Sequence, residues 1–486
     1  MVLRFYNSLS REVEDFTPVH PGEARFYACG PTVYNHAHIG NFRSYVFSDL
    51  LRRYLKFKGY RVTEAMNVTD VDDKTIRDSR AAGVPLAEFT ERYAKAFFED
   101  LAALNIEPAE HYPRATEHVP EMLALIQALL DKGAAYKGED GSVYFDISRY
   151  SKYGQLADLS GIQQGASGRV DADEYSKEEA RDFVLWKAWD ASDGPVGWES
   201  QFGRGRPGWH IECSAMSARY LGAPFDLHTG GVDLRFPHHE NEIAQSEAAT
   251  GKKFANYWLH CEHLVIDGRK MAKSAGNFYT LRDVLARGFE ARAVRWLLLS
   301  THYRSQLNFT FPALEQSANT LHKLDEFVQR IQEKQADGKE NATLAAALAA
   351  AEKGFEEGLD NDLNASLALP HLFELARVVN AELDARRADP ESLARVLAFL
   401  KRADSVLGVL EFDKQEFPAE ALALVKEREE ARKARDYARS DVIRKKLEET
   451  GFTVQDTPQG PKLGKLHRKT LVEDVKLTDS VDSAKR

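Results

Sequence analysis

The chain has 486 residues, is 43% apolar and carries a formal net charge of −10. At roughly 100–200 residues per domain, that length suggests about three domains, with apolar residues spread widely enough to give each a core. Two classes are excluded: no apolar run reaches the roughly 18 residues that span a bilayer, and an acidic whole does not bind polyanions indiscriminately, so a nucleic-acid partner requires locally concentrated basic groups.

The opening "MVLRFYNSLS" reads as strand and turn rather than a basic–apolar leader, and a cytoplasmic protein is expected. "ARFYACG" is a short apolar strand around Cys29. "PTVYNHAHIGN" is a turn, "FRSYVFSDLLRRYLKFKG" has a helical period that stops at Gly59, and "YRVTEAMNVTD" is the next strand. This strand–helix–strand order predicts an α/β fold with a Rossmann-like parallel sheet and ligands above its C-terminal strand ends.

From about 116 to 200 the pattern changes. The helix "VPEMLALIQALLDKG" leads to Asp140-Gly141 between two strand-like runs, a hairpin signal, and then to the loop "SGIQQGASGR". This stretch reads as an insertion into the sheet domain. "PGWHIECSAMSARYLG" (helix), "FDLHTGG" (strand) and "FPHHENEIAQS" (helix) resume the alternation. After about residue 311, four segments with apolar stripes predict a helical bundle. Between Lys426 and Lys469, thirteen Lys/Arg stand against eight Asp/Glu, a local +5 that leaves −15 for the remainder. There "REEARKARDYARSDVIRKKL" reads as a helix with Arg432, Arg435 and Arg439 near one face and Tyr437 among them. It suits a polyanion, or else is a solvated helix with i,i+4 ion pairs. The residues from 471 onward read as a polar, frayed tail.

Several stretches carry chemistry. "HAHIGN" lies at a strand-to-helix turn, where Gly40 lets backbone approach a ligand, the helix N-terminus offers N–H donors to phosphate, and His38 adds another. "GRKMAKSAGNF" places Lys270 and Lys273 in a loop of small residues. The three cysteines, Cys29, Cys213 and Cys261, are too few and too odd for a disulfide framework. In "FPHHENEIAQS", His238 and Glu242 share a helix face while His239 points elsewhere, so the pair is a solvated stripe or half of a metal site. Zinc takes thiolate, imidazole and carboxylate. Cys29, Cys213 and the His238–Glu242 pair sit on three elements of one predicted sheet domain, whose ends can converge at its C-terminal edge. Structural thiols and a polar helix face explain the same spacing. "HCEH" around Cys261 is a rival cluster, but strand alternation sends His260 and Cys261 to opposite faces, so Cys261 is expected to be structural.

"HIGN" near the start and "KMAKS" late in an α/β chain resemble the two signature motifs of class I aminoacyl-tRNA synthetases, with Asn41 for a histidine and Ala272 for a serine. Asn41 can donate a hydrogen bond, for instance to an ATP oxygen, but cannot carry charge. "FYACGPTVYN", "PGWHIECSAM" and "GGVDLRFPHHENEIAQSEA" are similar to cysteinyl-tRNA synthetase, and the likeness covers nearly the whole chain. It departs late, where "QGPKLGK" stands for a stretch that often holds a tryptophan.

The resemblance implies a zinc held by Cys29, Cys213, His238 and Glu242, with the thiol of L-cysteine as a further ligand and Glu242 the loosest of the four. It implies Cys29, Thr69 and Trp209 against the amino acid. It places His38, Gly40, Gly231, Asp233, Lys270 and Lys273 on ATP with its Mg²⁺, and His38, Asn41, Lys270 and Lys273 in catalysis. It divides the chain into a catalytic domain (1–115 and 201–262) with an inserted connective domain (116–200), the KMAKS loop and stem-contact region (263–310), a helical bundle (311–412), a basic anticodon-binding domain (413–470) and the tail (471–486). The implied activity is cysteine activation and transfer to tRNA(Cys) by a monomer, without membrane or editing module. Two rivals remain: a cysteine ligase of the same fold acting on an amino sugar, which lacks a full anticodon-binding end, and a silent RNA- or zinc-binding paralogue.

Overall fold

The computed structural model describes residues 2–157, 169–170, 181–272, 275–333, 341–413, 418–457 and 460–465. Most of the loop "SGIQQGASGR", Lys273 and the tail from 471 lie outside the described residues. The chain forms two compact units, Met1–Leu281 with Ala291–Leu410, and Arg282–Glu290 with Glu411–Arg486.

The first unit is built on a four-stranded parallel sheet. Its strands are β1 (Glu23–Ala28), β2 (Arg61–Met66), β3 (Phe225–Gly231) and β4 (Ala255–Cys261), in the order β4-β3-β1-β2. All three pairings are parallel. Strands buried on both faces read as continuous apolar runs, and β1 ends on the buried Phe26, Tyr27 and Ala28. Three helices frame the strand ends: α1 (Ile39–Phe57) follows β1, α2 (Trp209–Leu221) precedes β3, and α3 (His238–Thr250) joins β3 to β4. The strand order reverses between β1 and β3, so a crevice opens beyond their C-terminal ends.

The expected hairpin is present: Ala135–Lys137 pairs antiparallel with Val143–Phe145. One expectation is corrected nearby. Lys270 does not sit in a loop, because Arg269–Lys270 pairs antiparallel with Leu264–Ile266. The bundle holds Phe311–Glu333, Ala342–Asp360, Ala365–Asp384 and Pro390–Leu407.

A buried arginine ties α1 to this helical region. Arg295, on the helix Ala291–Leu299, is fully buried and pairs with Asp49 of α1. It also donates to Leu407 O (2.6 Å) and Leu104 O (3.1 Å). Arg295→Leu is expected to cost about 3 kcal/mol, the low end for breaking a buried pair, because Arg53 still bonds Asp49. The denaturation midpoint measures it, and an unchanged midpoint would show that the pair contributes nothing net.

The second unit corrects the single basic helix. The segment breaks into Ala419–Lys433 and Tyr437–Glu449, with Arg435 in the left-handed region (φ 60°) and Asp436 capping the second helix by accepting from Arg439 N. Arg432 and Arg439 therefore do not share a continuous helix face. A hairpin, Phe452–Thr457 with Gly460–Lys465, completes the unit around Ala421, Ile443, Leu447, Val454 and Leu463.

Candidate metal centre

α1 begins with a capping box. The His38 side chain accepts from Asn41 N (3.1 Å, at Nδ1), and Asn41 Oδ1 accepts from His38 N (3.0 Å). A backbone N–H only donates, so Nδ1 is bare and the neutral ring carries its proton on Nε2. Gly40 has no room for a side chain: a Cβ would lie 2.9 Å from His38 Nδ1 and 3.3 Å from Met271 Cε. The segment after the lysine motif is held against this turn. Ile39 N donates to Tyr279 O (2.9 Å), and the His38 ring packs edge-on against Phe278 at 5.2 Å. Asn277 ties the motif to itself by donating to Lys270 O and accepting from Ala272 N. Two motifs some 230 residues apart in sequence thus share one place, with Lys270 exposed beside it. At the end of β3, Gly231 lies against the Asp233 carboxylate and Ser44 of α1.

The thiols gather beyond the end of β1. Cys29 follows β1, Cys213 lies on α2, and His238 and Glu242 lie on the first turns of α3. All four are buried, and one ligand atom from each falls within 4.8 Å of the others. His238 Nε2 is 3.1 Å from Glu242 Oε1, and Cys29 Sγ is 3.9 Å from the same oxygen. The solvated-stripe reading is excluded, because Glu242 has no exposed surface.

His239 does not point away. Its Nε2 is 3.3 Å from Cys29 Sγ, and Cys29, His228, His239 and Glu242 form a second group within the same distance limit. α3 is buried on every side of its first turns, so the 100° step from His238 to His239 turns the latter toward the sheet end where Cys29 sits. Each imidazole is oriented by another: His238 Nδ1 meets His210 Nδ1 at 3.0 Å, and His239 Nδ1 meets His260 Nε2 at 2.8 Å. His228 Nε2 lies 3.0 Å from Glu242 Oε2, with its ring stacked on Trp258. Trp209 stacks on His238 at 4.1 Å. Sequence reasoning missed His210, His228 and His239. The available signal was a helix and a strand rich in imidazole yet placed between core elements.

Burial drives these groups to their neutral forms. It raises the Cys29, Cys213 and Glu242 pKa values and lowers those of His238 and His239. His210, His228 and His260 fall to about 3 for the same reason. Metal ligands must be deprotonated thiols, neutral imidazole and carboxylate, so a divalent cation offsets what burial opposes at the acids and needs no change at the histidines. The donor set fits such an ion. Cys261 faces away, with Sγ 3.7 Å from Arg43 O, and burial raises its thiol to about 11. It joins no ligand group among the described residues.

Comparison with known proteins agrees with this arrangement. Residues 15–319 match the family model of the class I (C) tRNA synthetase catalytic domain, 354–411 the DALR domain, and 414–461 the cysteinyl-tRNA ligase anticodon binding domain. The fold is similar to Mycobacterium tuberculosis methionyl-tRNA synthetase bound by methionyl-adenylate, with TM-score 0.59 at 16% identity over 80% of this chain and 90% of that one. The sheet, the paired motifs and the catalytic-domain match define a class I aminoacyl-tRNA synthetase. The chain is 49% identical to cysteine--tRNA ligase of Protochlamydia amoebophila over 95% of its length and 98% of the relative's. It is 49% identical to that of Brachyspira hyodysenteriae over 94% and 98%. It belongs to the cysteine--tRNA ligase family.

Proposed function

We propose that the protein activates L-cysteine with ATP and transfers it to the terminal adenosine of tRNA(Cys), acting as a cytoplasmic monomer. One observation carries the choice of amino acid: two thiols, an imidazole and a carboxylate converge, all buried, within 4.8 Å of one another.

Cys29, Cys213, His238 and Glu242 would hold zinc. When bound, zinc supplies a soft Lewis acid that takes a thiolate far better than a hydroxyl. Glu242 is the ligand best able to yield, since His228 already contacts its second oxygen. Trp209 closes the pocket over His238. The Thr69 hydroxyl donates to Glu212 (3.0 Å) and accepts from Asn67 (3.0 Å). Its remaining lone pair suits the ammonium of the substrate and not its carboxylate.

For activation, the cysteine carboxylate attacks the α-phosphorus, the new P–O bond forms, and pyrophosphate leaves. Little covalent chemistry falls to the protein, so positioning and charge stabilisation supply the rate. His38 Nε2–H, the N-terminus of α1 and Lys270 would bind the phosphates, Lys273 would add a further cation, and Mg²⁺, when bound with ATP, would neutralise phosphate charge. Gly231 and Asp233 meet the adenosine, and Asn41 holds His38 in the donating tautomer. An adenosine hydroxyl of the tRNA end then attacks the acyl carbon and AMP leaves. The deciding experiment offers the activated amino acid tRNA(Cys) or an amino sugar. Charging of the tRNA is expected, and a preference for the sugar would overturn the assignment.

The basic second unit is proposed to bind the anticodon end. Arg432 and Arg428 are engaged with Asp456, and Arg439 with Glu427. Replacing Arg435 and Arg439 together with Ala is expected to weaken tRNA binding and reduce its salt slope by about one to two, one for each phosphate no longer neutralised. An unchanged slope would mark these helices as merely solvated.

A further inference from the structure

Glu212 is the residue before Cys213 on α2, and it has no exposed surface. No cation pairs with it among the described residues. Its Oε2 accepts from the Thr69 hydroxyl at 3.0 Å, while Oε1 has no hydrogen-bond partner. A buried carboxylate without a cation is unfavourable, and packing alone would be served by an apolar side chain of similar volume.

The chain of bonds beyond it suggests what the carboxylate does. Thr69 accepts from Asn67 Nδ2 (3.0 Å), and Asn67 Oδ1 accepts from Gly30 N (2.8 Å). Every donor points the same way, from the peptide after Cys29 to the residue before Cys213. The backbone repeats the link: Val33 N donates to Thr69 O and Thr69 N to Pro31 O, both at 3.0 Å. Gly30 is pressed so closely on this strap that a Cβ would lie 1.8 Å from Asn67 O. In its bond to Thr69, Glu212 Oε2 is the acceptor, which orders the Thr69 hydroxyl as a donor. That in turn requires Asn67 to present its NH₂ to Thr69 and its carbonyl to Gly30. With an apolar residue at 212, the hydroxyl rotates freely and the amide can flip, setting NH₂ against the Gly30 N–H and releasing the Cys29–Gly30 peptide.

We infer that Glu212 is a positioning residue of the metal centre: through Thr69 and Asn67 it fixes the Cys29 backbone relative to Cys213, and so sets the spacing of the two thiolates that grip the ion. This rests on the reading of Cys29 and Cys213 as metal ligands.

The test measures Zn²⁺ affinity of the full-length protein by chelator competition, and the visible spectrum of the Co²⁺-substituted protein, for Glu212→Gln, Glu212→Leu, Thr69→Val and Thr69→Ser. Loss of an outer-shell partner weakens metal binding by about 10–100-fold, which is the effect expected for the Leu and Val variants, with shifted Co²⁺ bands. Gln still accepts from Thr69, and Ser still donates, so both are expected to stay within about threefold of wild type. A folded Leu variant with wild-type affinity and spectrum would overturn the inference. If the Leu variant does not fold, the Thr69→Val and Thr69→Ser pair decides in the same way, since only the hydroxyl separates them in the strap. A wild-type protein that takes up no ion would overturn the metal reading itself, and this inference with it.

Discussion

Stripping the ion with a strong chelator is expected to slow cysteine-dependent pyrophosphate exchange sharply and to collapse the preference for cysteine over serine. The two amino acids differ by sulfur for oxygen. A pocket relying on shape and apolar contact separates such pairs by only about 10–200-fold, or 1–3 kcal/mol. Discrimination on the order of 10⁴ needs about 5.5 kcal/mol at the transition state. The crevice offers one feature of that strength, the group of thiol, imidazole and carboxylate donors within 4.8 Å. The stripped protein should therefore retain at most about a hundredfold preference, and added Zn²⁺ should restore the rest. Cys213→Ser should follow the stripped protein, because its hydroxyl is a poor zinc ligand. Full selectivity in a protein confirmed free of metal would place the discrimination in shape and hydrogen bonding instead.

Much of the sheet domain was legible because its signals are local. The helical period of α1 stops before Gly59 and short apolar strands flank it, although the helix starts at Ile39, inside the stretch expected to be a turn. The proposed ligand residues were harder, since Cys29 and Glu242 are 213 positions apart and meet only because the strand order reverses between β1 and β3. No spacing rule encodes that meeting; family resemblance supplied the set, and the structure brings the same four side chains together. His239 was misplaced because a helical wheel assumes one wet face, whereas α3 begins with nine consecutive buried residues, His238 to Ser246. The break in the basic segment had one visible cue, Asp436 as an N-cap, but the left-handed Arg435 before it carries no sequence mark. Glu212 went unread because a lone Glu on an amphipathic helix looks solvated until its burial is known.

Lys273→Ala is expected to lower the rate of cysteinyl-adenylate formation by about 10²–10³-fold, the effect of removing one preorganised charge-stabilising donor. During attack on the α-phosphorus, negative charge grows on the leaving pyrophosphate, and a cation placed there counts for more in the transition state than in the ground state. The loss should appear mainly in kcat for pyrophosphate exchange. Lys270→Ala should act in the same direction, since Lys270 stands beside the His38 turn on a segment that Asn277 ties together. Affinity for tRNA should remain unchanged, because the basic groups proposed to hold it lie in the second unit. That separation makes the result decisive. If Lys273→Ala weakened tRNA binding and left adenylate formation intact, the lysines would belong to nucleic-acid docking, and charge stabilisation at the phosphates would have to come from His38 and the N-terminus of α1 alone.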